Sequence, residues 1–220
     1  MLKAVIFDLD GVVTDSAVYH YQAWKRIADK LKIPFDMVYN ERLKGVSRME
    51  SLNLILDNGA GRQAYGAQEK ERLAEEKNEY YKELIQQITP ADLLPGILPL
   101  LIELKRQKVQ IGLASVSRNA AFIIKKLGVG EYFDYIADAA KVKHSKPYPD
   151  IFLDCSDNLN VNPWDCVGIE DAKAGIEAIH RAGMKAVGVG TKDQMQEADL
   201  ILNGTGQLSF PILSALNNEV

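Results

Sequence analysis

Six short apolar runs, rich in β-branched residues, recur along this chain and constrain its fold more than any other feature. They cover residues 4–7, 109–113, 135–137, 166–169, 186–189 and 200–202. Because these runs lack the polar alternation of a half-exposed strand, they predict strands that are buried on both faces. Helix-like segments lie between them at 97–107, 119–127, 149–159 and 172–182. The alternation predicts an α/β fold with a doubly wound parallel sheet.

The first two runs are about 100 residues apart, far more than the dozen or so that a parallel crossover needs. Apolar residues at helical spacing occur within that gap, around residues 24–31, 52–56 and 67–88. We therefore predict that residues 15–90 form an inserted α-helical cap domain. The α/β core domain would then consist of residues 1–14 and 91–220.

The composition, with 47% hydrophobic and 25% charged residues, is that of an ordinary globular protein. A net charge of −4 argues against nucleic-acid binding, which usually requires a basic face. No apolar stretch approaches the roughly 20 residues that a membrane span needs. We expect a cytoplasmic monomer with neither a nucleic-acid nor a membrane partner. Cys155 and Cys166 lack metal-ligand spacing, so we expect two buried, reduced thiols.

The acidic segment Asp8-Leu9-Asp10-Gly11 gives the strongest functional signal because it directly follows the first apolar run. Ligands of open parallel sheets gather beyond the carboxyl ends of the strands. A magnesium ion would relieve the repulsion between the two carboxylates. Asp8 would then be a nucleophile, and Asp10 would offer a main-chain carbonyl to the metal and a side chain for proton transfer. The alternative is that both aspartates merely cap a helix or lie in a solvated loop.

Three further polar segments follow predicted strands. Ser115 begins a segment that ends at Asn119, where a hydroxyl and the N–H groups opening a helix can bind phosphate oxygens, although an ordinary helix cap has the same pattern. Lys146 precedes two prolines and could neutralise phosphoryl charge, although a single lysine is more often exposed. Glu170 and Asp171 end another apolar run and suit an octahedral metal shell.

These four segments resemble, in order, the motifs of the haloacid dehalogenase superfamily of phosphotransferases, which implies a Rossmann-like core and Mg²⁺ as cofactor. Within it, the segment Asn40-Glu41-Arg42-Leu43-Lys44-Gly45-Val46-Ser47-Arg48 is similar to that of the β-phosphoglucomutase family. This resemblance implies interconversion of β-D-glucose 1-phosphate and glucose 6-phosphate through a bisphosphate. Asp8 would carry the phosphoryl group, Asp10 would transfer protons, and the metal ligands would be Asp8, Asp10, Glu170 and Asp171.

The same resemblance implies a set of sugar-phosphate contacts. Arg48 would bind the phosphate that is not transferred, and Lys44 and Lys77 would lie beside the sugar. The implied substrate-binding residues are His20, Trp24, Leu43, Lys44, Gly45, Val46, Ser47, Arg48, Ser51, Lys77, Ser115, Val116, Ser117, Arg118, Asn119 and Lys146. Core packing is an equal alternative for Trp24, and a structural role is an alternative for His20.

Two other functions are compatible with the sequence. A capped phosphatase that hydrolyses small sugar phosphates would have the same four core motifs. A non-enzymatic phosphate-sensing module could use the same scaffold, but its motifs would be expected to be degraded. The segment from Lys44 to Arg48 favours the mutase.

Overall fold

The computed structural model describes residues 1–43 and 45–218, and within them six strands form one parallel sheet. The strands are β1 (Ala4–Phe7), β2 (Gln110–Leu113), β3 (Tyr135–Ile136), β4 (Cys166–Glu170), β5 (Lys185–Val189) and β6 (Leu200–Leu202). Their order is β3-β2-β1-β4-β5-β6, so the chain builds outward from β1 on one side and from β4 on the other. The predicted doubly wound α/β fold is confirmed.

The helices of the described residues fall between and beside these strands. They are α1 (Ala17–Lys30), α2 (Met37–Asn40), α3 (Arg48–Asp57), α4 (Ala67–Leu84), α5 (Ile97–Arg106), α6 (Ala120–Lys126), α7 (Asp150–Asn158), α8 (Lys173–Arg181) and α9 (Phe210–Asn218). The sequence did not predict α9 or α2, which has only four residues. Among the described helices, none has the length and apolar character required to cross a membrane.

The chain divides into two compact units, Met1–Asp15 with Ile88–Val220, and Ser16–Gln87. In the first unit, α7 and α8 pack on the sheet face that carries Ala4 and Ile6. Successive strand side chains alternate between faces, so the fully buried Val5 and Phe7 belong to the opposite face. Because the strand side chains are buried on both faces of the sheet, the strands are continuously apolar. Cys155 and Cys166 are buried and free, as predicted.

The second unit consists of helices around its own apolar core. That core contains Trp24 and Ile27 from α1, Leu52 and Ile55 from α3, and Leu73 from α4. The side-chain hydroxyl of Ser47 accepts the Glu50 N–H at 3.3 Å and so caps α3, which begins at Arg48.

Candidate active site

The carboxyl ends of β1 and β4 lie side by side at the point where the sheet order reverses. Phe7 is paired with Ile169, and the Asp8 N–H donates to the Ile169 carbonyl at 2.9 Å. Asp8 and Glu170 are therefore brought to neighbouring strand ends by strand register alone. In open α/β sheets this reversal point is where ligands bind.

Lys146 lies between these two carboxylates. Its Nζ is 2.5 Å from Asp8 Oδ1 and 2.5 Å from Glu170 Oε1. Relative exposures of 2% for Lys146, 6% for Asp8 and 1% for Glu170 rule out the exposed-lysine alternative. The ammonium also lies 5.1 Å from the centroid of the Phe152 ring, which contributes a cation–π contact from α7. A buried charge of this kind persists because it is paired on two sides.

Burial raises the pKa of the Asp8 carboxyl to about 7. The Lys146 ammonium opposes this rise, whereas the Glu170 and Asp10 carboxylates add to it. Burial also acts to lower the pKa of Lys146, but Asp8 and Glu170 outweigh burial and hold that pKa above its ordinary value. Lys146 is therefore a cation at neutral pH. A further positive charge near Asp8 would favour its ionised form.

An acidic cluster at these strand ends has the donor set of a divalent metal site. One carboxylate oxygen each from Asp8, Glu170 and Asp171 lies within 4.8 Å of the others. The three carboxylates carry more negative charge than the single Lys146 ammonium balances, and oxygen-only ligands suit a hard divalent cation. The residues present therefore fit such an ion. The Asp10 carboxylate is not part of this cluster, and the sequence-based hypothesis for Asp10 as a ligand concerned its main-chain carbonyl.

Local backbone contacts hold the acidic side chains in place. The Asp10 N–H donates to Asp8 Oδ2 at 2.9 Å, and the N–H groups of Asp171 and Ala172 each donate to Glu170 Oε2 at 2.8 Å. Gly11 has φ +77°, and a Cβ there would lie 2.3 Å from Asp171 Oδ2. The turn after Asp10 therefore requires glycine both for its backbone conformation and for the space that the Asp171 carboxylate occupies.

The segment after β2 lies at the same edge of the sheet. The Ala114 N–H donates to the Phe7 carbonyl at 2.8 Å, so Ser115 follows directly beside the Asp8 strand end. Ser115 and Ser117 are buried, Val116 and Asn119 are partly buried, and Arg118 is exposed. The Ser117 N–H donates to Ser115 Oγ at 3.1 Å, and the Asn119 N–H donates to Ser117 Oγ at 3.3 Å. These bonds form a compact turn ahead of α6.

A second polar cluster, made of His20, Trp24, Lys77 and Tyr81, lies within the helical unit. The Lys77 ammonium is 2.8 Å from His20 Nδ1 and lies 4.9 Å and 4.6 Å from the ring centroids of Trp24 and Tyr81. Because an ammonium only donates, His20 Nδ1 accepts. Burial, followed by the charges of Lys77 and Arg48, holds the pKa of His20 well below its ordinary value. Trp24 therefore both packs in the core and contacts a predicted binding residue.

Tyr81 is a member of this cluster that the sequence did not single out. It is fully buried, its ring centroid is 4.0 Å from that of His20, and its hydroxyl lies 3.2 Å from Ser16 Oγ. Its position four residues after Lys77 on α4 is the sequence signal that could have identified it.

The remaining predicted residues of the helical unit lie around the start of α3. Arg48 Nη1 is 3.1 Å from Glu75 Oε2, an acid that the sequence did not connect with this site. Ser51 and Leu43 are buried, and Gly45, with φ +72°, Val46 and Ser47 are partly buried. Lys44 lies outside the described residues.

The sequence of this chain is similar to those of several known proteins. Residues 2–183 match the family model described as haloacid dehalogenase-like hydrolase. A curated relative from Bacillus subtilis (strain 168), named beta-phosphoglucomutase, is 51% identical over 212 residues, covering 96% of this chain and 94% of the relative. A phosphorylated carbohydrates phosphatase from Thermotoga maritima is 30% identical over 188 residues, covering 84% of each chain.

The fold also matches a solved structure over almost its whole length. The crystal structure of a beta-phosphoglucomutase from Clostridium difficile superposes with a TM-score of 0.97 and is 50% identical. The match covers 99% of this chain and 98% of that one.

Proposed function

Because this chain belongs to the haloacid dehalogenase-like hydrolase family, we propose that it acts as a β-phosphoglucomutase, an isomerase that interconverts β-D-glucose 1-phosphate and glucose 6-phosphate. The observation that supports this activity most strongly is the high identity to a curated enzyme of that name over nearly the full length of both chains. The contact of Lys146 with Asp8 and Glu170 supports phosphoryl transfer as the chemistry.

Asp8 is the proposed nucleophile. In the first half-reaction an Asp8 oxygen forms a bond to phosphorus of the bisphosphate, and the bond from that phosphorus to the sugar oxygen breaks while Asp10 donates a proton to that oxygen. In the second, a sugar hydroxyl gives its proton to Asp10 and attacks phosphorus, and the bond to Asp8 breaks. Lys146 stabilises the negative charge on the transferring group. The Ser115 hydroxyl donates a hydrogen bond to an oxygen of the transferring phosphoryl group.

Asp8, Glu170 and Asp171, together with the Asp10 main-chain carbonyl, are the proposed ligands of a divalent cation. When bound, this cation, which we propose to be Mg²⁺, would screen repulsion between the Asp8 carboxylate and an incoming phosphoryl group. Both Glu170 oxygens already accept hydrogen bonds, but carboxylate oxygens have further lone pairs, so Glu170 can fix Lys146 and also contact the ion.

The helical unit supplies the proposed substrate selectivity, and we propose that it is the cap domain. Arg48 binds the phosphate that is not transferred, because its planar guanidinium can form two hydrogen bonds with a phosphate. Its present partner, Glu75, is an exposed carboxylate that a phosphate could replace. The second polar cluster places the Lys77 ammonium beside the aromatic rings of Trp24 and Tyr81. We propose that a sugar binds against this cation and these rings. Lys44, Leu43, Gly45, Val46, Ser47 and Ser51 complete the proposed contacts.

A sugar-phosphate phosphatase is the second candidate, favoured by the likeness to a phosphorylated carbohydrates phosphatase. Proton NMR of the protein with β-glucose 1-phosphate, Mg²⁺ and a trace of β-glucose 1,6-bisphosphate separates the two. The proposed mutase produces glucose 6-phosphate without free glucose. Free glucose that forms as fast as any isomerisation would support the phosphatase instead. A cytoplasmic location, a monomeric state and the lack of a nucleic-acid partner stay predictions.

A further inference from the structure

Gly175 occupies a buried position in α8 where its lack of a side chain has no backbone explanation. Its N–H donates to the Ala172 carbonyl at 3.0 Å, and its conformation is helical. Alanine forms a helix more favourably than glycine, so an alanine here would be expected on helix propensity alone. A constraint from outside the helix must therefore favour glycine.

The Glu170 side chain provides that constraint. A Cβ on residue 175 would lie 1.8 Å from Glu170 Oε1, 1.9 Å from its Cδ and 2.4 Å from its Cγ. The far half of Glu170 therefore fills the space that any other residue would need. Non-bonded atoms cannot approach one another this closely, so a side chain at position 175 would force the Glu170 side chain to move.

The Glu170 side chain cannot move far without losing hydrogen bonds. It is 1% exposed, Oε1 accepts from Lys146, and Oε2 accepts from the N–H groups of Asp171 and Ala172. A rotation away from residue 175 would break at least one of these bonds. Lys146 would then be held by Asp8 alone, and its Nζ would no longer be fixed from two sides.

We propose that Gly175 is a positioning residue for phosphoryl transfer, which it supports by leaving the space in which Glu170 holds Lys146 beside Asp8. This inference rests on the proposed function, because it assumes that Lys146 acts on the transferring phosphoryl group. Gly175→Ala is expected to lower kcat about 10- to 100-fold with little change in KM for the sugar phosphate, since a small misplacement of a catalytic group has effects of that size.

A double-mutant cycle read by thermal unfolding of the metal-free protein tests the contact independently of activity. Gly175→Ala should lower Tm when Glu170 is present. In a Glu170→Ala background the space is empty, so the same change should leave Tm unchanged or raise it. If Glu170→Ala alone does not fold, both backgrounds of the cycle also carry Lys146→Met, which removes the buried cation that Glu170 pairs with.

Gly168→Ala is the matched control. The three heavy atoms nearest to an added Cβ all belong to Ile179 on α8, the closest at 2.6 Å. This substitution therefore crowds the packing of β4 against α8 at Ile179 and not at Glu170. It should lower Tm similarly in both backgrounds. An equal Tm loss from Gly175→Ala in both backgrounds, or an undiminished kcat, would overturn the inference. A wild-type protein without mutase activity, but with the expected Tm cycle, would refute the proposed function and not the packing constraint.

Discussion

Lys146 Nζ and Asp8 Oδ1 lie 2.5 Å apart, although their residues are separated by 138 positions in the sequence. Both side chains are almost completely buried, and Glu170 Oε1 contacts the same ammonium. The pair therefore ties the segment after β3 to the ends of β1 and β4. It also sets the charge of the site, because one cation lies between two anions and all three side chains are almost completely buried.

Replacing Lys146 by methionine should reduce both stability and activity. The change leaves two buried carboxylates without their cation, which should lower the free energy of unfolding by about 3 kcal/mol at pH 8. The loss should be smaller at pH 5, because a buried carboxyl without a cation binds a proton more readily. Activity should fall at least about 100-fold. Urea unfolding and the isomerisation assay measure the two effects.

Lys105→Met is the control for this substitution. Lys105 pairs with Asp134 at 2.5 Å, but both side chains are about one-third exposed, 36% and 33%. Its loss should change the free energy of unfolding by less than about 1 kcal/mol. Equal losses for the two variants would show that Lys146 is not held as a buried charge.

Magnesium should raise Tm through the acidic cluster. Binding only to the folded state stabilises it, so Tm should increase with magnesium concentration and chelation should reverse the gain. Asp171→Asn should abolish most of this shift while leaving the metal-free Tm unchanged or higher, because one of three crowded negative charges is removed. Asp157→Asn, on the exposed surface of α7, should keep the full shift. A full shift in Asp171→Asn would exclude this cluster as the binding site.

Arg48→Ala should impair substrate handling far more than folding. The Arg48 and Glu75 side chains are 18% and 58% exposed, so their ion pair contributes at most about 1 kcal/mol to stability. KM for the bisphosphate should rise by at least about tenfold if Arg48 binds the second phosphate. Arg62→Ala removes another surface pair, with Asp57, in the same unit and should leave KM unchanged. A fall in Tm as large as that of a core substitution would contradict this role.

His20 should make stability fall below neutral pH. Its folded-state pKa is depressed, so the unfolded chain binds a proton first as the pH falls below about 6.5. The free energy of unfolding should then decrease by up to about 1.4 kcal/mol per pH unit through this residue, and the loss should begin near the unfolded-state pKa. His20→Gln should show a shallower decline between pH 7 and pH 5 in urea titrations. Identical slopes in both proteins would mean that His20 accepts a proton freely in the folded state.

The sheet and the core site were predictable because both depend on local patterns. Each predicted strand is present, and Asp8, Lys146, Glu170 and Asp171 come together since parallel strand ends share one edge. Helix α9 was not predicted, although it is as long as α7 and α8, because it buries only Leu213 and Leu216, which is too little periodicity to distinguish it from a loop.

The surroundings of Lys77 were not predictable in the same way. Glu75, Glu76 and Glu79 give this part of α4 the appearance of an exposed surface, yet Lys77 is only 3% exposed. Its burial depends on His20 and Trp24, which lie on α1 more than fifty positions earlier. No local pattern specifies such a contact, and the same is true of the space beside Gly175 that Glu170 fills.

Covalent trapping tests most directly whether Asp8 accepts the phosphoryl group. The protein is mixed with Mg²⁺ and β-glucose 1,6-bisphosphate, quenched in acid within the first turnovers, digested and analysed by mass spectrometry. We predict one phosphoryl group on the peptide that contains Asp8, and neither modification nor isomerisation in Asp8→Asn, with Asp157→Asn as the unaffected control. A phosphoryl group on a different residue, or isomerisation at the wild-type rate in Asp8→Asn, would contradict the account.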